Sequence, residues 1–243
     1  MLTLVLLPGL DGTGIFFEDF AALLEVDATF KPLVITYPDD PALGYSELET
    51  LVRAALPRDE RFILLGESFA GPLATIIAAS NPPGLAALIL CVTFARNPHP
   101  LLPLATAVLK PLPAFRVPFF IQHRNLFRRF DSPPLRAKLR KIRSSVSSKT
   151  LKTRLECVAR VDVTGQLRTV KVPILDLRAD DDRVVSRASG DYIRNILPGV
   201  ATADLEAPHV MLQTVPHQAL AAIKYFVREH VQQNASAKFD AAQ

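Results

Sequence analysis

Short unbroken apolar runs alternate with stretches of helical spacing over the first 96 residues. Leu2 to Leu7, Leu33 to Tyr37, Phe62 to Leu65 and Leu85 to Val92 each suit one strand, and an apolar run without polar alternation predicts a strand covered on both faces. Phe16 to Glu25, Tyr45 to Leu56 and Leu73 to Ala79 carry helical spacing, with Ser46 as the expected cap of the second helix. The alternation resumes late in the chain with a strand at Pro173 to Leu177, a helix at Arg187 to Ile196, a strand at Ala203 to Glu206 and a helix at Val215 to Val231. Strand and helix in turn, with short connections, predict an α/β fold with a doubly wound, mostly parallel sheet of six strands.

The alternation stops between about Asn97 and Gly165. There a proline-spaced apolar and aromatic part (Phe115, Phe119, Phe120, Phe127, Phe130) precedes a basic part from Pro134 to Val161 that is expected to be helical. This reads as a helical lid, residues 97–165, inserted into a core made of residues 1–96 and 166–234. Residues 235–243 are small and polar, and are expected to be a disordered tail.

Composition narrows the class. A chain of 243 residues with 49% hydrophobic and 21% charged positions can fill one sizeable core, which excludes a disordered or fibrous protein. Leu101 to Ile121 is apolar but contains four prolines with Lys110 and Arg116, a poor membrane span. The apolar start, Met1 to Leu7, lacks a basic leader and a cleavage site, and Cys91 and Cys157 define no disulfide framework or metal motif. The expected location is the cytoplasm.

The net charge of +4 is unevenly spread, because residues 116–154 hold twelve Lys and Arg against the single acid Asp131. Such a segment can attract anionic substrates, acyl carriers or an acidic membrane surface, so peripheral membrane contact is one reading. Its plainer reading is a solvated helix face.

The candidate chemistry starts at Arg61 to Ala74, which reads as a buried strand, a very tight turn and a helix, with Ser68 in the turn. A serine at such a turn is held so that its hydroxyl projects from the sheet, provided that the residues two before and two after are small. Gly66 and Ala70 meet that condition, although the order is G-x-S-x-A-G where G-x-S-x-G is usual. On its own so short a pattern is equally an ordinary Gly-Ser turn.

A serine hydroxyl needs a base, and the base needs an orienting group. Asp180-Asp181-Asp182 and then His209 come late in the chain, each just after a predicted strand, so their loops are expected at the sheet edge that carries Ser68. Taken singly, three aspartates suit a solvated turn and a histidine suits packing. Order and strand-end placement together favour chemistry. Backbone N–H groups of Phe69, at a helix N-terminus, and of Leu10, in the glycine loop Pro8 to Gly14, are the candidate oxyanion hole. That loop lacks both G-x-G-x-x-G and the Walker lysine, which argues against nucleotide binding. His99, His123, His217 and His230 lack metal spacing, so no metal or cofactor is implied, and no nucleic-acid partner either. Glu67 is expected to tune packing or hydrogen bonding beside Ser68.

With these pieces in place, the sequence resembles the α/β-hydrolase fold superfamily over nearly its whole length. The resemblance rests on Leu-Leu-Pro-Gly-Leu-Asp-Gly-Thr-Gly at 6–14, Gly-Glu-Ser-Phe-Ala-Gly at 66–71, Arg-Ala-Asp-Asp-Asp-Arg-Val-Val at 178–185 and Pro-His-Val at 208–210. It implies Asp182, just before Arg183-Val184-Val185, as the acid in preference to Asp181 or Asp180. It also implies a core trimmed at its N-terminal side, since the chain starts at the strand that precedes the oxyanion loop. The glycine loop and the Ser68 turn look like those of the plant esterase/lipase/thioesterase group, which includes acyltransferases. The implied function is a serine hydrolase acting on a small-molecule carboxylic ester or thioester with an apolar acyl part. The alternatives are acyl transfer to an alcohol by the same residues, and a catalytically silent binding protein on this fold.

Overall fold

Six strands lie side by side in one parallel sheet, in the order β2-β1-β3-β4-β5-β6. They are β1 (Leu2–Leu7), β2 (Phe30–Val34), β3 (Phe62–Glu67), β4 (Leu85–Cys91), β5 (Ile174–Ala179) and β6 (Ala201–Leu205). This computed structural model describes residues 1–99 and 118–232. The apolar runs are unbroken because both faces of the sheet are covered. Along β1, Leu4 and Leu6 face a layer that includes Phe20 and Leu24 of α1 (Glu18–Asp27) and Leu220 and Ile223 of the helix Pro216–Val227. The alternate residues, Val5 and Leu7, face Leu48 and Val52 of α2 (Tyr45–Ala55) and Leu73 and Ile77 of α3 (Ala70–Ala79).

Two local expectations are corrected. β2 starts at Phe30 and runs through Pro32, where the sequence pattern placed its start at Leu33. β2 is an edge strand, and the proline's missing N–H is tolerated there. α2 is capped not by Ser46 but by extended Gly44, whose N–H donates to Glu47 Oε2 at 3.0 Å.

Between β4 and β5 the chain leaves the sheet and forms α4 (Phe119–Phe127), α5 (Pro133–Ser145), α6 (Ser148–Arg160) and α7 (Thr164–Thr169). The basic stretch is thus two helices, broken at Val146, and the second starts where Ser147 Oγ accepts the Thr150 N–H at 3.2 Å. Phe127, Leu135, Leu139 and Ile142 of this insertion pack with Ile15 and Phe16 after the glycine loop and with Val210 beside His209. The readings made for residues 100–117 and 235–243 lie outside the described residues. Among the described residues no helix is long and apolar enough to cross a membrane.

The cations of the insertion are not all free in solvent. Lys138 pairs with Glu18 and Asp19, Arg128 with Asp181, and Arg129 with Glu206, so four core carboxylates face inserted cations. Arg154 departs furthest from the solvated-face reading, since it is 0% exposed.

Candidate active site

The turn between β3 and α3 is held in a backbone conformation that few L-residues adopt. Ser68 has φ 53°, in the left-handed region. Neighbouring strands hold it there: its N–H donates to Cys91 O at 2.9 Å, and Thr93 Oγ1 and the Gly71 N–H both donate to its carbonyl oxygen. The small residues around it have separate reasons. A Cβ at Gly66 would lie 2.6 Å from Ala70 O, and one at Gly71 would lie 2.0 Å from Thr93 Oγ1. The extra glycine of the G-x-S-x-A-G pattern therefore takes the tight crossing against Thr93, while the Ala70 methyl is packed in the core. Phe69, the N-cap of α3, is fixed from the other side. Its ring stacks on Tyr45 at 4.7 Å between centroids, and Tyr45 Oη donates to its carbonyl at 2.9 Å.

The glycine loop approaches the same point, because β1 and β3 are adjacent with Leu7 opposite Gly66. A Cβ at Gly9 would lie 3.6 Å from the Ser68 Cβ. The loop closes through Gly12 N–H donating to Gly9 O at 3.1 Å, with Gly12 at φ 71°, and Asp11 Oδ1 accepts the Thr13 N–H at 2.8 Å. Arg154 of α6 crosses behind it, its Nη1 donating to the carbonyls of Leu10 at 2.9 Å and Asp11 at 2.7 Å. The Leu10 and Phe69 N–H groups have no acceptor among the described residues.

The other two side chains come from the ends of β5 and β6. Asp180 N–H donates to Leu205 O at 2.9 Å and Asp181 N–H to Ala207 O at 3.1 Å, which ties the two loops together. Of the three aspartates, Asp180 pairs with Arg187 and Asp181 with Arg128, so both turn outward. Asp182 turns inward. Its Oδ1 accepts the N–H groups of Val184 at 2.7 Å and Val185 at 2.9 Å, and its Oδ2 lies 2.7 Å from His209 Nδ1. His209 Nε2 lies 2.9 Å from Ser68 Oγ. The five residues singled out in the sequence, Leu10, Ser68, Phe69, Asp182 and His209, are thus gathered at one edge of the sheet.

Burial by itself would lower the His209 pKa, but the Asp182 carboxylate, with its hydrogen bond, and Glu67 outweigh it and raise the value above the ordinary one. With a carboxylate on Nδ1, the neutral ring carries its proton there and leaves Nε2 as an acceptor toward Ser68. Glu67 is buried, and that burial pushes its pKa up to about 7, with His209 opposing the rise and Asp11 adding to it. Its Oε1 accepts from Gln213 Nε2 at 3.4 Å.

Sequence reasoning missed Arg154 as a contact of the glycine loop. The available signal was its place between Thr150 and Val158 at intervals of four on one buried helix face. Beside Asp181 the surface opens into a cavity of about 510 Å³ lined by Phe120, Ile121, Arg124, Asn125, Arg128 and Arg183. Among the described residues no group of His, Cys, Asp and Glu side chains is arranged to hold a metal ion.

No family model matches the chain, and no curated protein matches it in sequence. Solved structures do match it in shape. A carboxylesterase from the thaumarchaeon Nitrososphaera gargenis superposes with a TM-score of 0.77 at 13% identity, covering 96% of this chain and 92% of that one. An enol-lactonase from Burkholderia xenovorans gives 0.75 at 17% identity, with 93% and 91% covered. An esterase from Exiguobacterium antarcticum gives 0.74 at 16% identity, with 93% and 92% covered. The chain shares its shape with these enzymes over nearly the whole length, and its parallel six-stranded sheet with helices on both faces is the α/β-hydrolase fold.

Proposed function

We propose that the protein is a serine hydrolase that cleaves a carboxylic ester or thioester with an apolar acyl part through an acyl-enzyme. The observation that carries this reading is the unbroken chain of contacts from Ser68 Oγ through His209 to Asp182, at 2.9 and 2.7 Å. His209 Nε2 takes the Ser68 hydroxyl proton as Oγ bonds to the substrate carbonyl carbon. Asp182 holds the ring in the tautomer that can do this and stabilises the imidazolium that forms. The carbonyl oxygen, now negative, lies against the free N–H groups of Leu10 and Phe69. Collapse of the adduct breaks the C–O or C–S bond, and His209 returns the proton to the leaving alcohol or thiol. Water then repeats the sequence, giving its proton to His209, and the acid leaves with Ser68 restored.

The names of the solved neighbours, a carboxylesterase, an esterase and an enol-lactonase, support ester bonds as the substrate class. The inserted helices are the proposed lid. The experiment is labelling with a fluorophosphonate probe followed by peptide mapping, alongside turnover of p-nitrophenyl esters. Label on the Ser68 peptide, absent together with turnover in Ser68→Ala, is the expected result. Label that persists in Ser68→Ala refutes the assignment.

A further inference from the structure

Arg154 is a fully buried cation that makes no direct ion pair with a carboxylate among the described residues, the charges of Asp11 and Asp39 acting on it only from farther off. Its direct hydrogen bonds go to backbone carbonyls instead. Nη1 donates to Leu10 O and Asp11 O, and Nη2 to Pro38 O at 2.9 Å, while the guanidinium carbon lies 5.6 Å from the Tyr37 ring centroid. Its Nε is buried without a hydrogen-bond partner. Burying a charge in this way is costly, and an apolar residue at this position of α6 would seat the helix without that cost. The carbonyls it holds are informative. Leu10 O and Asp11 O are the two acceptors inside the turn that closes from Gly12 N–H to Gly9 O, and Leu10 is the residue whose own N–H is left free beside Ser68.

The Leu10 N–H belongs to the Gly9–Leu10 peptide, whose carbonyl is held by the Gly12 N–H, so a rotation of the Asp11–Gly12 peptide would break that closure and let the Leu10 N–H swing off its line. Nη1, with its planar guanidinium anchored through Nη2 on Pro38 O, bonds the Leu10 and Asp11 carbonyls and so fixes the Asp11–Gly12 peptide, whose N–H holds Gly9 O and with it the peptide that carries the Leu10 N–H. Gly12 shows how closely the parts fit: a Cβ there would lie 2.7 Å from Arg154 Nη1.

We infer that Arg154 is a positioning residue for the oxyanion hole, delivered by the inserted helix α6, and that it acts through the turn: holding the Leu10 and Asp11 carbonyls keeps the Gly12 N–H on Gly9 O, so that the Gly9–Leu10 peptide keeps the Leu10 N–H aimed beside Ser68. The inference rests on the proposed reaction at Ser68. It makes the seating of the insertion a condition for stabilising the transition state, beyond covering the site.

The test compares Arg154→Lys, Arg154→Met and Thr153→Val in the full chain. Thr153 Oγ1 donates to Pro41 O from the same helix, so its loss weakens the seating of α6 without touching the glycine loop. For each variant, kcat and KM on a p-nitrophenyl ester and the inhibition constant of a phenylboronic acid are measured well below its own Tm. The boronic acid forms a tetrahedral adduct on Ser68. Arg154→Met is expected to lower kcat by roughly 10²–10³, the cost of losing one oxyanion donor, with KM changed less than about threefold and boronate affinity falling in step with kcat/KM. Lys, whose single ammonium nitrogen can stand in for Nη1 but lacks the Nη2 anchor on Pro38 O and the planar geometry, should recover only part of the loss. Thr153→Val should keep kcat and boronate affinity. The inference is overturned if folded Arg154 variants keep wild-type kcat, if their boronate affinity stays unchanged while kcat falls, or if Thr153→Val reproduces the loss. Failure of both Arg154 variants to fold would assign the residue to stability alone and overturn it too. Absence of Ser68 labelling in the wild-type chain refutes instead the hydrolase reading beneath it.

Discussion

Replacing Asp182 by asparagine keeps the size of the side chain and removes its charge, and the surrounding donors decide which way the new amide turns. In the protein, Oδ1 accepts two backbone N–H groups, from Val184 and Val185, while Oδ2 meets His209 Nδ1. An asparagine has one carbonyl oxygen for these two places. With the oxygen toward Val184 and Val185, its NH₂ group faces Nδ1, which must then be the acceptor, and the ring proton moves to Nε2 opposite Ser68 Oγ. That tautomer cannot take the serine proton. The flipped amide would restore the tautomer, but it aims NH₂ at two backbone donors, and a buried unpaired donor costs about 1–3 kcal/mol. The unreactive form is therefore the stable one. The expected loss in kcat is about 10⁴, the scale known for the same change in other serine enzymes, or roughly 5.5 kcal/mol of barrier. Stopped-flow labelling by a fluorophosphonate and ester turnover, each followed from pH 5 to 9, measure it. On the proposed mechanism the wild type needs neutral His209, so the rate should rise with pH through a midpoint above the ordinary histidine value of 6.5. In the variant the carboxylate no longer supports the imidazolium, and whatever activity remains should show that limb at lower pH. A variant within tenfold of wild type, or an unmoved limb, refutes the role given to Asp182.

Glu67 and the crossing at Gly71 give two further expectations. Burial holds the Glu67 pKa at about 7 in the folded chain against 4.5 for the free group. The unfolded chain thus releases its proton first, so this residue costs nothing below pH 4.5, and stability falls as pH rises from there through 7. Glu67→Gln should equal wild type in urea denaturation near pH 4 and exceed it by up to about 3 kcal/mol near pH 8, and a difference independent of pH would sink the argument. Gly71→Ala places a methyl 2.0 Å from Thr93 Oγ1 and 2.5 Å from its Cγ2, between two well-packed elements. A stability loss of about 1–3 kcal/mol or more is expected by thermal denaturation, and wild-type stability in this variant would contradict the packing described.

The doubly wound sheet was legible because covering both faces leaves a mark that survives in one dimension: Val5 and Leu6 are equally buried on opposite sides, so neither can be polar. Local boundaries were less legible where the environment overrides local preference. Pro32 reads as a breaker, yet it sits inside an edge strand, and Ser46 reads as a cap where Gly44 with Glu47 supplies the capping contact. In the candidate site, Ser68, Asp182 and His209 stood out because each comes just after a strand and so must surface at one edge. Which aspartate turns inward was read only through the resemblance, from the place of Asp182 before Arg183-Val184-Val185; spacing alone does not encode it, because Asp181 is drawn outward by Arg128, 53 residues away. Arg154 was hidden for a related reason. Among twelve cations it differs from its neighbours only in the helix face it occupies, and that face matters because of a loop 143 residues away in sequence.

The cluster that joins the insertion to the core also limits how the protein can be rebuilt. Phe127, Leu135, Leu139 and Ile142 share one apolar knot with Ile15, Phe16 and Val210, which flank the glycine loop and His209. Exchanging the helices between β4 and β5 for those of a different protein on this fold would thus not be a swap of covers over an unchanged centre. The graft would remove the packing under two of the site's loops and the guanidinium behind one of them. A transplant that preserves chemistry has to carry Phe127 and Arg154 with it, or bring matching partners for Ile15, Val210 and the two carbonyls of the turn.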